Sequence, residues 1–331
     1  MKKFTLKPLP GENLRLVQPQ HLTINYKQEL NPAQYEAVTS LDGPHLIIAG
    51  AGTGKTNTVV YRVAYLVELG VKPDSLLLLT FTRKAAQDML RRAAILLDSR
   101  CESVSGGTFH SFANNILRKY GPVVGYERNY TILDQTDAED VVNLLRTRLR
   151  YDAKEKRFPK KEMLYDLYSR SLNTLTPMKD LLARDYPHYQ EIETDIANVH
   201  QAYTIYKKEH NLMDYDDLLV NLVHVLKKDE SVRTALSLRY KYIMVDEYQD
   251  TNKIQAEIVK LLAFKHQNVM VVGDDAQSIY AFRGSTIKNI LDFPNEFPDC
   301  KVIKLEENFR STQPILNLAN EILKRGAPLN I

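Results

Sequence analysis

The sequence predicts an α/β protein built on a parallel sheet, and three observations carry that expectation. Short apolar runs at 45–49, 76–80, 242–245, 269–272 and 301–305 lie between polar ends, which suits strands buried on both faces. Stretches with helical spacing separate them, as strand–helix–strand units require. Glycine is frequent between Gly11 and Gly125 and then absent until Gly273, so a long helix-patterned stretch interrupts the strands. The expected organisation is a discontinuous core domain, 1–111 and 231–304, carrying an all-helical insertion at 112–230. Residues 305–331 run on from the end of the last expected strand.

The elements follow in chain order. Met1-Lys2-Lys3-Phe4-Thr5-Leu6-Lys7-Pro8 has charge but no apolar segment, so no signal peptide is expected. His45-Leu46-Ile47-Ile48 reads as the first strand, and Val59, Val60, Val63, Ala64, Leu66 and Val67 as the apolar side of the helix after it. Thr136-Asp137-Ala138-Glu139 reads as a capping box before Val141, Val142, Leu144, Leu145 and Leu149. A helix at 194–209 would bury Ile196, Val199, Ala202, Tyr203 and Tyr206, and another is expected at 215–227. The run Lys154-Glu155-Lys156-Arg157-Phe158-Pro159-Lys160-Lys161 reads as a solvated loop.

Composition narrows the class. Forty-four Lys and Arg against 41 Asp and Glu leave a net charge of +3, too mild for a polyelectrolyte tail. Any contact with nucleic acid must therefore come from local placement of charge. With 44% hydrophobic and 26% charged residues the chain is ordinary for a globular protein. Cys101 and Cys300 alone exclude a disulfide scaffold and suit a reducing cytosol. No apolar run approaches the roughly 20 residues of a membrane helix, so a cytoplasmic protein without membrane contact is expected.

Ala49-Gly50-Ala51-Gly52-Thr53-Gly54-Lys55-Thr56 is the sharpest motif. It follows an expected strand and opens an expected helix, the context that makes a glycine-rich turn a phosphate-binding loop. Its backbone N–H groups would cradle the β- and γ-phosphates of ATP, with the helix N-terminus adding a favourable dipole. Lys55 would supply a point charge and the Thr56 hydroxyl a ligand to Mg²⁺. Ala49 stands where the strict pattern has Gly. The second motif is Tyr242-Ile243-Met244-Val245-Asp246-Glu247, an apolar strand ending in adjacent carboxylates. There Asp246 would hold Mg²⁺, mostly through water, and Glu247 would act as general base. A GTPase reading fails because Asn252-Lys253-Ile254-Gln255 lacks the Asp of a guanine-reading motif, and the Arg-rich lid of a nucleotide kinase is missing.

Beyond these motifs, a series of segments resembles the UvrD/Rep/PcrA family of superfamily-one DNA helicases. They are Leu30-Asn31-Pro32-Ala33-Gln34, Thr80-Phe81-Thr82-Arg83-Lys84-Ala85-Ala86 and Gly107-Thr108-Phe109-His110-Ser111-Phe112. Asp246-Glu247-Tyr248-Gln249-Asp250, the stretch from Gly273 to Gly284 and Leu305-Glu306-Glu307-Asn308-Phe309-Arg310-Ser311 complete the series in order. Met213-Asp214-Tyr215-Asp216-Asp217-Leu218 is similar to another recurrent family segment, here read as a structural cap. The resemblance spans nearly the whole chain and implies the first RecA-like core domain of a P-loop ATPase with its helical insertion.

The resemblance also implies roles. Gln34 would read adenine, Phe309 would pack on it, Gln277 would sense the γ-phosphate, and Arg310 would be an arginine finger. Phe81, Arg83, Lys84, His110, Tyr280, Phe282 and Arg283 would contact single-stranded DNA, the aromatic faces stacking on bases without reading sequence. The sequence departs from the family where Phe282 replaces a frequent Trp, Asn57 a frequent Arg, and Ala276 a frequent Asp. The implied activity is ATP-dependent DNA unwinding or translocation, 3′ to 5′, at single/double-strand junctions, as in DNA repair. The rivals are an ATP-gated single-strand-binding regulatory module, the motor part of a recombination helicase-nuclease, and an RNA-directed helicase. Twenty-one residues follow Arg310, too few for a second α/β domain. This chain by itself is therefore expected to bind ATP and DNA weakly, hydrolyse slowly and not separate strands.

Overall fold

The computed structural model describes residues 22–151, 158–277 and 288–325. The elements before the insertion are α1 (Tyr26–Glu29), α2 (Pro32–Thr39), β1 (His45–Ala49), α3 (Lys55–Glu68), β2 (Leu76–Thr80), α4 (Arg83–Leu96), β3 (Ser105–Thr108) and α5 (Phe109–Tyr120). Then come β4 (Thr131–Ile132), α6 (Gln135–Arg148), α7 (Lys161–Thr174), α8 (Met178–Asp185), α9 (Glu193–Glu209), β5 (Leu212–Met213), α10 (Tyr215–Lys228) and α11 (Glu230–Arg239). The chain returns through β6 (Tyr242–Val245), α12 (Lys253–Ala263), β7 (Val269–Gly273), α13 (Lys288–Glu296), β8 (Lys301–Leu305) and α14 (Gln313–Arg325).

Six strands form one parallel sheet in the order β3-β2-β6-β7-β1-β8. All the expected strands lie in it, and the alternation of their side chains divides the core. Leu76 and Leu78 of β2, Tyr242 and Met244 of β6, and Met270 and Val272 of β7 pack with α3 and α4. Their neighbours Leu77, Leu79, Ile243, Val245, Val269 and Val271 pack with α5, α10, α11, α12 and α13 on the opposite face. Full burial of each such side chain is worth about 1.5–3 kcal/mol, so strands apolar on both faces are held from both sides. β3 was not expected. Its sequence Ser-Gly-Gly-Thr carries no apolar run because a Cβ at Gly106 would lie 2.8 Å from Leu90 Cδ1, and one at Gly107 2.6 Å from Ser111 Oγ.

A separate apolar cluster holds the interrupting stretch, from Leu133 and Val142 through Leu164 and Tyr168 to Ile196 and Tyr203. This stretch is helical apart from one short parallel pair, Thr131 opposite Leu212 and Ile132 opposite Met213, which brings its entry and exit together. The cap expected at Thr136 lies two residues earlier. Asp134 is extended and its side chain accepts from Asp137 N at 2.9 Å, while Gln135 and Glu139 bond to each other. A carboxylate at the N-cap outcompetes a hydroxyl two residues later because it meets the helix dipole as well as the free N–H. Asp214, expected as a cap, forms a capping box with Asp217 at the start of α10. Among the described residues no helix is long and apolar enough to cross a membrane.

Candidate active site

The strand order places the site. β7 lies between β6 and β1, so the loops leaving the carboxyl ends of these three strands adjoin, where open α/β sheets collect ligands. β1 runs into the glycine-rich loop, β6 into Asp246 and Glu247, and β7 into Asp274.

The loop has the backbone that its composition demands. Gly52 and Gly54 have φ of +84° and +86°, which glycine adopts without steric cost, and Gly54 is the N-cap of α3. Thr53 closes the turn through N and Oγ1, both on Gly50 O. Lys55, the first residue of α3, is buried, and its Nζ lies 3.2 Å from Glu247 Oε2. Glu247 itself has a φ of +52°, left-handed in a residue with a full side chain. That strain turns the chain sharply after β6. Gln249, almost fully buried, steadies the carboxylate by donating from Nε2 to Glu247 Oε2 at 2.8 Å. Its Oε1 accepts from Asp274 N at 3.0 Å, and a Cβ at Gly273 would collide with that oxygen at 2.7 Å.

Asp246 lies beneath. Burial, and secondarily the adjacent Glu247 carboxylate, push its carboxyl up to about 7. Its Oδ1 is buried without a hydrogen-bond partner, as is Oδ1 of Asp250, whose carboxyl burial raises to about 6. Orphaned buried carboxylate oxygens are costly unless a donor or cation meets them. The unpartnered Asp246 oxygen thus fits Mg²⁺, which takes few protein ligands and fills its shell with water and phosphate oxygens. Among the described residues no group of three acidic, His or Cys side chains could enclose a metal alone.

Gln34 is more deeply engaged than an adenine reader need be. Asn31 caps α2 in a capping box with it, and Gln34 Nε2 donates to Thr53 O at 3.1 Å. It therefore braces the phosphate loop. Gln277 is tied by its side chain to Asp274. Phe309, mostly exposed, donates its backbone N–H to Gly52 O at 2.9 Å, and Arg310 Cβ lies 2.7 Å from where a Cβ on Gly52 would stand.

A cleft of about 670 Å³ opens beside the carboxylates. Asp246, Glu247 and Asp250 form one wall; Phe81, Arg83 and His110 line it from the ends of β2 and β3; Ser169, Arg170 and Asn173 of α7 close it. Phe81 is half-buried on that wall, and burial holds the His110 imidazole below its ordinary pKa. Lys84 is exposed one residue past Arg83. Tyr280, Phe282 and Arg283 lie outside the described residues. Sequence reasoning missed the polar groups that join these parts: Gln249, Asp274, Asn308, and the chain in which Asn252 Nδ2 donates to Asn173 Oδ1 and Asn173 Nδ2 to Asp216 Oδ1, both at 2.7 Å. Gln249 and Asn308 stood inside recognised segments, so the motifs pointed to them without giving a role.

The family model described as UvrD/REP helicase N-terminal domain matches residues 30–298. The protein named ATP-dependent DNA helicase PcrA of Staphylococcus aureus (strain Mu50) is 38% identical over 299 residues, covering 90% of this chain and 40% of its own. The protein of the same name from Staphylococcus epidermidis is 38% identical over 301 residues, with 91% and 40% covered. The chain spans about 40% of the length of these curated relatives.

Proposed function

Since the chain belongs to the UvrD/REP helicase N-terminal domain family, we propose that it is the motor part of an ATP-dependent DNA helicase that hydrolyses ATP while holding single-stranded DNA. One observation carries this reading: the carboxylates Asp246 and Glu247 line the same cleft as Phe81, Arg83 and His110. A nucleotide site and a stacking platform that share walls can exchange work. Both relatives bear the name ATP-dependent DNA helicase PcrA, which supports the same reading.

In this reading ATP binds the loop 49–56, its adenine between Gln34 and Phe309. Lys55 leaves Glu247 for the β/γ-phosphates, which frees the Glu247 carboxylate to take a proton from the attacking water. The water oxygen bonds to the γ-phosphorus, the bond to the β–γ bridging oxygen breaks, and ADP and phosphate leave. Mg²⁺ held by Thr56 and Asp246 would neutralise charge on the phosphate oxygens. Gln277 and Arg310 attend the γ-phosphate. DNA lies along Phe81, Arg83, Lys84 and His110 and continues to Tyr280, Phe282 and Arg283. Movement runs 3′ to 5′, from single/double-strand junctions. The core comprises 1–111 and 231–304, the insertion 112–230, and 305–331 leads into the next domain.

ATP turnover with and without single-stranded DNA tests the motor reading. A sharp rise with DNA, lost in Glu247→Gln by about 10²-fold or more while nucleotide still binds, is the expected result. Turnover indifferent to DNA would leave an ATP-gated binding module instead. Competition by single-stranded RNA at equal strength would redirect the substrate assignment.

A further inference from the structure

Residues 307–310 interlock with the outer side of the phosphate loop. Asn308 Nδ2 donates to Ala51 O at 2.6 Å, and its Oδ1 accepts from the backbone N–H groups of Arg310 and Ser311, each at 2.9 Å. Two N–H groups on one side-chain oxygen fix the orientation of the amide, so the nitrogen must face the Ala51 carbonyl. Phe309 N on Gly52 O adds a backbone tie, and Glu307 Oε2 accepts from Asn31 Nδ2 at 2.9 Å. Gly52 permits the fit, because a Cβ there would lie 2.7 Å from Arg310 Cβ and 2.9 Å from Asn308 Oδ1.

The ties of Asn308 and Phe309 use carbonyl oxygens of the loop. Phosphates bind its N–H groups, so nucleotide and tether do not compete. We propose that Asn308 is a positioning residue for Arg310: its amide fixes Arg310 in register with the phosphate loop, setting where the guanidinium meets the γ-phosphate, while Phe309 is held separately by its own backbone bond to Gly52 O. The proposal rests on the reading of Arg310 as an arginine finger. Such a finger accelerates the reaction only when it is placed. A lost tether must therefore appear in kcat and not in nucleotide affinity.

The test is steady-state ATP turnover of the natural full-length protein with saturating single-stranded DNA. The variants are Asn308→Asp, Asn308→Ala, Arg310→Ala and Asn308→Asp combined with Arg310→Ala. Asn308→Asp keeps the acceptor for Arg310 and Ser311 and turns only the donor into an oxygen facing Ala51 O. Both Asn308 variants should lose kcat on the order of 10- to 100-fold, as misplacement by about 1 Å does. Affinity for a fluorescent ATP analogue and the melting temperature should stay near wild type. The double variant should be no slower than Arg310→Ala alone, since a residue acting through another adds nothing once that other is gone. Wild-type kcat in Asn308→Asp beside a slow Arg310→Ala overturns the proposal and leaves the finger reading intact. Multiplied losses in the double variant, or a loss of affinity and melting temperature in step with kcat, also overturn it. Wild-type turnover in Arg310→Ala removes the finger itself, and the proposal with it.

Discussion

Phe81 and Asp216 line the same cleft, and each makes a claim that one substitution can check. If Phe81 offers its ring to bases, Phe81→Ala should weaken single-strand binding by about 1–3 kcal/mol, alike for all sequences. Unchanged affinity for a labelled oligonucleotide would make it a packing residue. For Asp216, burial first and the Asp214 carboxylate second raise the carboxyl to about 6. Its folded pKa thus lies above the unfolded value of roughly 4, so its contribution is full below pH 4 and is lost as pH rises through 6. Above pH 6 the ionised, buried carboxylate is a liability. Asp216→Asn should therefore be more stable than wild type by about 3 kcal/mol at pH 8, and equal to it near pH 4. Urea unfolding at both pH values decides; a difference independent of pH would refute the burial account. At this scale the sequence is most legible where chemistry dictates residue type at fixed spacing, as for Lys55, Asp246 and Glu247. It is least legible where a side chain serves a partner far along the chain, as Gln249 serves Asp274 and Asn308 serves Ala51.

Between elements, the join of α9 to α10 shows how a charge cluster can fix geometry. Lys207 near the end of α9 is buried with Nζ 2.6 Å from both Asp214 and Asp217, the capping pair of α10, and Tyr203 donates to Asp214 at 2.8 Å. Removing the cation leaves two buried carboxylates unpaired. Lys207→Met, which keeps most of the aliphatic length, should cost about 3–5 kcal/mol in chemical unfolding. A loss below about 1 kcal/mol would mean that water reaches the pair and screens it. The apolar half of this join was legible, since the spacing of Ile196, Val199 and Tyr203 predicts the buried face of α9. Asp214 was legible as a cap because a carboxylate before an apolar helix is a common start signal. The ion pair across the turn was not, because charges near helix ends are usually solvated and nothing local marks this one as enclosed. β3 escaped for a different reason: its two glycines are dictated by the close approach of Leu90 and Ser111, not by strand propensity.

Across the whole molecule, the sheet was legible from short apolar runs and the interruption from the gap in glycine, but neither names which helices pack on which core. Amphipathic spacing identifies a buried face without its partner. Within 112–230, Phe112–Leu117 of α5 and Leu218–Leu226 of α10 pack on the sheet, whereas α6 to α9 surround their own cluster. That cluster meets the sheet-bound layer through the contacts of α7 with α10 and α12, the chain from Asn252 through Asn173 to Asp216, and the buried Lys207 and Tyr203 contacts of α9 with the start of α10. The sheet-bound and helical residues form separate apolar clusters, so the two bodies should open with different free energies. Leu164, fully buried in the helical cluster, supplies the probe. Leu164→Ala should cost about 2–5 kcal/mol within that cluster. In native-state hydrogen exchange, peptides from α6, α7 and α9 should then lose protection, while β1, β2, β6 and β7 keep theirs and nucleotide binding persists. Loss of protection in the strands by the same amount would mean one cooperative unit. Independent opening instead gives the helices on one wall of the cleft freedom to move against the sheet, as the proposed motor reading expects of them.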